Sequence, residues 1–600
     1  MLKLQNVLLP AREKQCPRDM YYRVDDLPVS DVDGAGLLFK QGAQASFDTY
    51  FNCFSIGKWK KYTQVKSVSL SLTLQGSFDI RLLGISKSDA GAPQFQEYAA
   101  SRLDSDIPQT FVLPFPESAD QPFYTFRLRA ARDDSRFING WYGTELDESA
   151  LSPVNIGVSI CTFRREAFVE RNIGIIKKAF LCNADCELSR HLQLFIADNG
   201  KTLDVPSLSD ECIHIFPNKN TGGAGGFTRG LIEILHADGF RATHALLMDD
   251  DILIEPEALW RTYMLLRCLK EAYRDAFVGG AMLRLDRPNI QTEAGARWNE
   301  GRILSYKAGA DMNDLGSVIE NETEEEYEYN AWWYCCIPMS VINSRNLPLP
   351  IFIRGDDLEY GLRAMKRLIL LNGICVWHEP FESKYSSWLN YYFMRNMLYD
   401  NSLRVPGYGR RRAVSAIWKQ CLLEMLYYRY LNVDLMLSGV NDFLKGSAFL
   451  KETDAEALHL SIIRKGYPFK PVQQLDFPFS AQEYARNMRT ADKNPRSMFR
   501  LSGFNGLLYP ANHDTVVPVA QCNPAHFYRV KKALHYDEAG QKGFVTEKSL
   551  AKTALYACKV FHTTARLLIK YNRVRRDLLE NEQSLINEEF WRSYLGIGAR

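Results

Sequence analysis

Residues 246–256 read LLMDDDILIEP, with three aspartates side by side where an apolar run ends. Adjacent like charges repel, and a divalent cation held between them removes that cost. Along an extended chain Asp249 and Asp251 project to one side and Asp250 to the other. Two carboxylates together with phosphate oxygens form the oxygen-rich surround that Mg²⁺ or Mn²⁺ takes. The same text also fits a solvated acidic turn before a helix opening at Pro256, where acids suit the helix dipole.

Two further stretches carry comparable chemistry. FIRGDDLEYGLR (352–363) puts Asp356 and Asp357 at a helix start, where a carboxylate pair can hold a general base and where Asp also serves as an N-cap. VWHEPFESKYSSW (376–388) places His378 after an apolar run, as a third metal ligand or as a structural histidine. The glycine-rich NKNTGGAGGFTRG (218–230) has neither the Gly-Lys-Ser/Thr ending of a P-loop nor the last glycine of G-x-G-x-x-G, because Thr228 stands there. Its Gly222 and Gly223 allow close backbone approach, and the helix that follows offers N–H groups to a phosphate. Asn220 and Arg229 flank it with suitable polar groups; a flexible turn is the plainer reading.

These residues need elements to position them. VNIGVSICTF (154–163), LQLFIADNG (192–200), IHIFP (213–217) and HALLMDDD (244–251) each end an apolar run in polar or glycine-rich text. Strands alternating with helical stretches predict an α/β fold with a mostly parallel, Rossmann-like sheet over 151–400, binding its ligand at the carboxyl ends of the strands. Residues 1–150 read as a β-sandwich, from period-two alternation in VKSVSLSLTLQGSFDIRLLGIS (65–86) and FYTFRLRAA (123–131). Tyr50, Phe51, Phe54 and Trp59 there are expected in its core, with a carbohydrate-facing surface as the alternative. Residues 401–600 read as a helical domain. Its long amphipathic pattern at 550–583 carries Arg566, Lys570, Arg573, Arg575 and Arg576, either a solvated face or one that meets anionic lipid.

The length of 600 residues calls for several domains, and a net charge of +2 gives no global pull toward nucleic acid. Thirteen cysteines without paired zinc-finger spacing read as free thiols of a reducing compartment. No signal peptide is read at MLKLQNVLLPAREKQ and no apolar run is long enough to span a bilayer, so a cytoplasmic protein is expected, or one peripheral on the inner face of the membrane.

Taken in order, the MDDD cluster, the NxGGxGGF loop, WWYCCIP (332–338), GDDLEYGLR and WHEPF resemble the GT-A glycosyltransferases of the GT2 class. More closely, they resemble the polymerising UDP-galactofuranosyltransferases of cell-wall galactan synthesis. That resemblance implies a β-sandwich, a GT-A domain and a helical region, in this order, and often self-assembly into a homo-oligomer. It implies Asp249, Asp251 and His378 as ligands of Mn²⁺ or Mg²⁺. Arg165, Asp198, Asn199 and Asn220 would be nucleotide-sugar contacts, with Asp250, Gly222, Gly223 and Arg229 on the same side. Trp332 and Trp333 would flank the acceptor sugar, Glu293 and Trp298 would line its pocket, and Asp357, with Asp356 beside it, would be the catalytic base. One departure is Gly355, which stands where the family carries an apolar or aromatic residue. The helical text WLNYYFMRNMLYD (388–400) pairs Tyr391 with Arg395 and Tyr392 with Asn396 at i,i+4 spacing, for an acceptor or lipid role or for core packing.

The chemistry so implied is an inverting transfer from UDP-galactofuranose to a lipid-linked or other glycan acceptor, with the metal neutralising the leaving diphosphate and Asp357 taking the acceptor's proton. Metal and phosphate motifs read the diphosphate and not the sugar, so UDP-glucose, UDP-galactopyranose or a dTDP-sugar are alternative donors. A metal-dependent phosphohydrolase and a non-catalytic scaffold of an envelope-glycan complex are the rivals from other classes.

Overall fold

The computed structural model describes residues 1–10, 16–32, 36–89, 91–380, 385–489 and 503–598. Phe381, which ends WHEPF, and residues 11–15 of the amino-terminal stretch lie outside them.

The first segment is built on four long strands, β1 (Ser69–Lys87), β2 (Pro93–Pro114), β3 (Phe123–Ala130) and β4 (Ser135–Thr144). β1 pairs along its first half with β4 and along its second half with β3, while β2 follows its other edge throughout. The nine strands of this segment are hydrogen-bonded into one continuous network, because β1 is long enough to pair in both halves. Tyr50, Phe51, Phe54 and Trp59 are fully buried, so the core reading of these aromatics holds. Phe51 also reaches out of the segment: its ring lies 6.1 Å from that of Trp377, and its carbonyl accepts from the buried Arg261 at 2.6 Å.

The second segment follows the α/β alternation. Its elements are β5 (Ile156–Thr162), α1 (Glu166–Ile176), β6 (Leu192–Asp198), β7 (Ile213–Pro217), α2 (Gly222–Leu235), β8 (His244–Asp249), α3 (Pro256–Cys268), β9 (Phe277–Arg284), β10 (Cys335–Pro338), α4 (Asp356–Ala364) and β11 (Leu368–His378). The sheet order is β7-β6-β5-β8-β10-β9-β11, closed by Leu253–Ile254. β5 pairs in parallel with both β6 and β8, so chain order reverses at β5 and opens a crevice at the carboxyl ends of β5 and β8. β11 is buried along all of its length, as a strand covered on both faces must be, and it delivers His378 to the same edge.

The third segment starts with α5 (Leu389–Arg404), α6 (Arg410–Leu426) and α7 (Tyr430–Phe443), and continues to α8 (Leu550–Asn581) and α9 (Glu588–Leu595). Its sequence reads as helical. The structure adds a small sheet of β12 (Lys470–Pro471), β13 (His513–Pro518), β14 (Val530–Asp537) and β15 (Lys542–Glu547), in the order β12-β15-β14-β13. α9 returns to the second segment, where Trp591 Nε1 donates to the Pro348 carbonyl at 2.9 Å. Tyr391, Tyr392, Arg395 and Asn396 of α5 are all buried, so this helix packs in the interior and does not offer those side chains to an acceptor. The thirteen cysteines are free thiols.

Candidate active site

The acid cluster forms where β8 ends. Ligand atoms of Asp249, Asp251 and His378 lie within 4.8 Å of one another, with His378 Nε2 3.2 Å from Asp251 Oδ1. Burial, then the neighbouring Asp251 carboxylate, push Asp249 up to about 7 against the pull of His378. Two crowded, desolvated carboxylates and an imidazole, all converging on one point, suit a divalent cation. The solvated-turn reading fails, because Asp250 and Asp251 are buried. Asp250, in the turn that follows the strand, is bonded within the protein. It accepts from Thr162 Oγ1 at 2.8 Å and from Arg165 Nη1 at 3.2 Å. Arg165 Nη1 also pairs with Asp251, so one guanidinium nitrogen meets both carboxylates.

The neighbouring strand ends shape the glycine loop. Asp198 is fully buried, and its carboxylate accepts from the N–H groups of Gly200, Thr202 and Leu203 at 2.7–2.9 Å, which fixes the turn after β6. Asn199 Nδ2 donates to the Gly222 carbonyl at 3.0 Å, and Asn220 Oδ1 accepts from Gly222 N at 3.2 Å. Gly222 sits at φ +72°, and a Cβ there would come within 2.2 Å of the Phe352 carbonyl oxygen. A Cβ on Gly223 would come within 3.0 Å of Asp356 Oδ2, so the loop lies against the aspartate pair. Arg229 touches this loop at its first residue, its Nη1 donating to Asn218 Oδ1 at 3.4 Å. Two turns into α2, its Nε donates to Glu233 at 2.8 Å and its guanidinium lies over Phe216.

A cavity of about 450 Å³ opens between these parts. Asp249, Gly223, Glu293, Trp332, Trp333, Asp356 and Asp357 all line it. Asp356 and Asp357 begin α4, whose N-cap is Gly355 at φ +97° with no side-chain cap, so the N-cap reading of the aspartates does not hold. Burial pushes Asp357 up to about 6, moderated by the Leu358 N–H at 2.8 Å and by Arg354. Burial and then Asp357 raise Asp356 well above the usual carboxylate range. Glu293 is pushed up to about 7 by burial; its Oε2 accepts from Ser305 Oγ, and its Oε1 is buried without a hydrogen bond. Trp333 Nε1 donates to the Gly280 carbonyl at 2.9 Å, and Trp332 packs edge-on against Phe227, so both rings are fixed. Trp298 is not among the residues lining the cavity; its Nε1 is held by Asn401 Oδ1 at 2.6 Å.

The departure at Gly355 has a local cause. Its left-handed backbone disfavours any side chain, and a Cβ there would come within 2.7 Å of Asp400 Oδ2. Sequence reasoning missed Thr292, Ser305 and Arg354, which also line the cavity. Arg354 had a signal, a cation three residues before Asp357 in FIRGDD; Thr292 and Ser305 belong to short strands, Gln291–Glu293 and Ile303–Ser305, that no alternation announces.

Residues 4–142 match the family described as Galactofuranosyltransferase 2 N-terminal. Galactofuranosyltransferase GlfT2 of Mycolicibacterium smegmatis is 28% identical over 437 residues, 67% of this chain and 64% of that protein. Its counterpart from Mycobacterium tuberculosis is 28% identical over 460 residues, 71% of this chain and 69% of that protein. The chain thus spans about two thirds of the length of these relatives. Among solved structures, the mannosyltransferase PcManGT from Pyrobaculum calidifontis, in complex with GDP-Man and Mn²⁺, is 11% identical over 53% of this chain and 81% of its own, with a TM-score of 0.28. The chain resembles the galactofuranosyltransferases, a group of glycosyltransferases, and its residues 4–142 match the family of their N-terminal region.

Proposed function

We propose that this chain is an inverting glycosyltransferase that moves galactofuranose from UDP-galactofuranose to a hydroxyl of a growing glycan. One observation carries the reading. Asp249 of the three-ligand cluster, the Asp356–Asp357 pair and the two tryptophans face one cavity, with the glycine loop at its wall. Asp249, Asp251 and His378 would hold Mn²⁺ or Mg²⁺, which when bound offsets negative charge on a leaving diphosphate. Arg165 and the N–H groups at the start of α2 would face the same phosphates. Asn199, Asn220 and the buried Asp198 would fix the backbone that meets the nucleotide. Trp332 and Trp333 present rigid apolar faces to the C–H side of a sugar and limit its orientations. Glu293, with one oxygen unpartnered, would hydrogen-bond a sugar hydroxyl. Asp357 would accept the acceptor's proton as it attacks the anomeric carbon from the face opposite the diphosphate, so configuration inverts.

The acceptor belongs to the same proposal. Among the described residues no helix is long and apolar enough to cross a membrane. On the outer side of α8, Phe561 is 68% and Ile569 81% exposed, among Arg566, Lys570, Arg573 and Arg576. An apolar stripe within basic residues suits the cytoplasmic surface of an anionic membrane, where a lipid-linked glycan would be met. Arg575 is not part of that face; it donates to the Ser402 carbonyl at 2.8 Å.

A donor panel tests the reading. The protein, Mn²⁺ or Mg²⁺ and a short galactofuranoside acceptor are incubated separately with UDP-galactofuranose, UDP-glucose, UDP-galactopyranose and a dTDP-sugar. Stepwise hexose additions from UDP-galactofuranose alone, lost in EDTA, are expected. Extension from another donor replaces the sugar assignment, and full activity in chelator removes the metal from it.

A further inference from the structure

The segment leading into the Asp356–Asp357 pair is held in rarely occupied backbone. Phe352 sits at φ 77°, Arg354 at 64° and Gly355 at 97°. Residues with side chains keep such angles only when their surroundings over-determine them. Here the surroundings are α5. Asn396 Nδ2 donates to the carbonyls of Ile353 and Arg354, both at 2.7 Å, with that of Ile351 at 3.2 Å. A carboxamide has two N–H groups, so the two short bonds use both and the third contact is shared. Arg395 sets the direction of the carboxamide. Its Nε donates to Asn396 Oδ1 at 2.9 Å, leaving only the amide nitrogen to face the carbonyls, and its Nη2 donates to the Ile351 carbonyl at 2.6 Å. The remaining carbonyl, of Phe352, accepts from Ala224 N at 3.0 Å. The Phe352 ring is stacked on Tyr392 at 5.2 Å.

Every carbonyl from 351 to 354 is therefore engaged, three by α5 and one by the start of α2. The strap joins two parts of the site. It rests on the glycine loop, where Gly222 has no room for a Cβ because of the Phe352 oxygen, and it ends in the first turn of α4, where Asp357 faces the cavity. We infer that Asn396 is a positioning residue: by gathering the carbonyls of the strap 351–354 it fixes Asp357 in register with the glycine loop. It is 1% exposed and does not line the cavity, so it acts through the strap alone. The inference rests on the proposed role of Asp357 as base.

Asn396→Ala removes the clamp. Asn396→Asp keeps the volume, in case the truncation fails to fold, and replaces the double donor by a group with at most one proton to give. Two readouts are needed. The first is steady-state kinetics, with kcat expected to fall at least tenfold and the donor KM to stay within about threefold. The second needs no sugar: limited trypsinolysis with mass spectrometry at the Arg354–Gly355 bond, whose arginine side chain is exposed. Cleavage there is expected to be slow in the parent protein and at least tenfold faster in both variants. A folded variant with kcat within twofold of the parent, or with this bond as protected as before, overturns the inference; a role in stability alone would lower Tm and leave the kcat of the folded protein unmoved. If the parent protein turns over no donor, the transferase reading falls, while the cleavage rates still decide whether Asn396 holds the strap.

Discussion

The first turn of α4 carries three acids, and two of them, two residues apart, have opposite electrostatics. Asp357 faces the cavity, and burial pushes it up to about 6. Glu359 faces the interior, where burial alone would also raise it. Arg363 and Arg404 outweigh that and hold it at about 2. Arg363 Nε and Arg404 Nε reach Glu359 Oε1 at 2.9 and 2.7 Å, and Arg363 Nη2 reaches Oε2 at 3.1 Å. Burial is common to both acids; what differs is whether guanidiniums bond the carboxylate directly, since Arg354 only moderates the shift of Asp357. An acid without a directly bonded cation is poised to exchange a proton near neutrality, whereas one held by two guanidiniums is fixed as an anion and anchors the helix. The helix thus separates reactivity from anchorage by side.

The largest expected effect lies on the anchoring side. Glu359→Gln leaves the buried Arg363 without a carboxylate and Arg404 with Glu582 alone, and should destabilise the protein by about 3 kcal/mol in urea unfolding at neutral pH. The sign of its pH dependence follows from a folded pKa below the ordinary value. The stabilisation by Glu359 is full above about pH 4.5 and is lost as pH falls toward 2, so the gap between parent and variant should close on acidification. A gap that is constant from pH 7 to 3 would show that packing, not charge, carries it.

On the reactive side, Asp357→Asn should retain UDP and metal binding, measured by calorimetry, and lose turnover by a factor on the order of 10² or more. Near-normal turnover would take the base assignment from Asp357. In the parent protein the acid limb of kcat should lie near pH 6, with activity falling about tenfold per unit below it as Asp357 takes up a proton. A limb near pH 4 would mean that the cavity is wetter than its burial implies. For stability the sign is opposite to that of Glu359: a raised pKa stabilises the fold below about pH 4, and this is lost as pH rises through 6.

How much of this could be read in advance follows the same division. Asp249, Asp356 and Asp357, which face the cavity, were legible because they stand where an apolar run or a glycine ends and such places are strand or helix termini, whereas Glu293 came only from the family resemblance. The strand order was not, since parallel neighbours are chosen by packing and not by adjacent text. Arg229 was placed in the site from its position beside the glycines. Glu233, four residues on, was the signal that its charge had a helical partner. The i,i+4 pairs of α5 were seen, but spacing names neighbours on a helix and not which side is buried, so the grip of Asn396 on residues more than 40 positions earlier was out of reach. Trp298 was lost for the same reason, its partner Asn401 being 103 residues away. The small sheet of the third segment was missed because its strands are two to eight residues long and lie within a stretch read as helical.

Asp400 offers the smallest and sharpest test of the separation between the two sides. It is 1% exposed, its Oδ1 has no hydrogen-bond partner, and Glu359 and Asp357 both act on it. Burial and then these two acids raise it well above the ordinary range, against the pull of Arg404. Burial and the neighbouring acids favour the neutral form of this carboxyl, and a neutral group can lie beside both acids without tying their titrations together. Asn has the same shape and no charge. Asp400→Asn should therefore change stability by no more than about 1 kcal/mol, the scale of a single hydrogen bond, and leave the acid limb of kcat where it was. Should Asp400 instead be ionised, the substitution would remove a negative charge from beside Asp357, and the limb would move to lower pH. The reactive and anchoring sides of α4 would then be coupled through Asp400, and the pKa of the base would be set partly by the residue behind it.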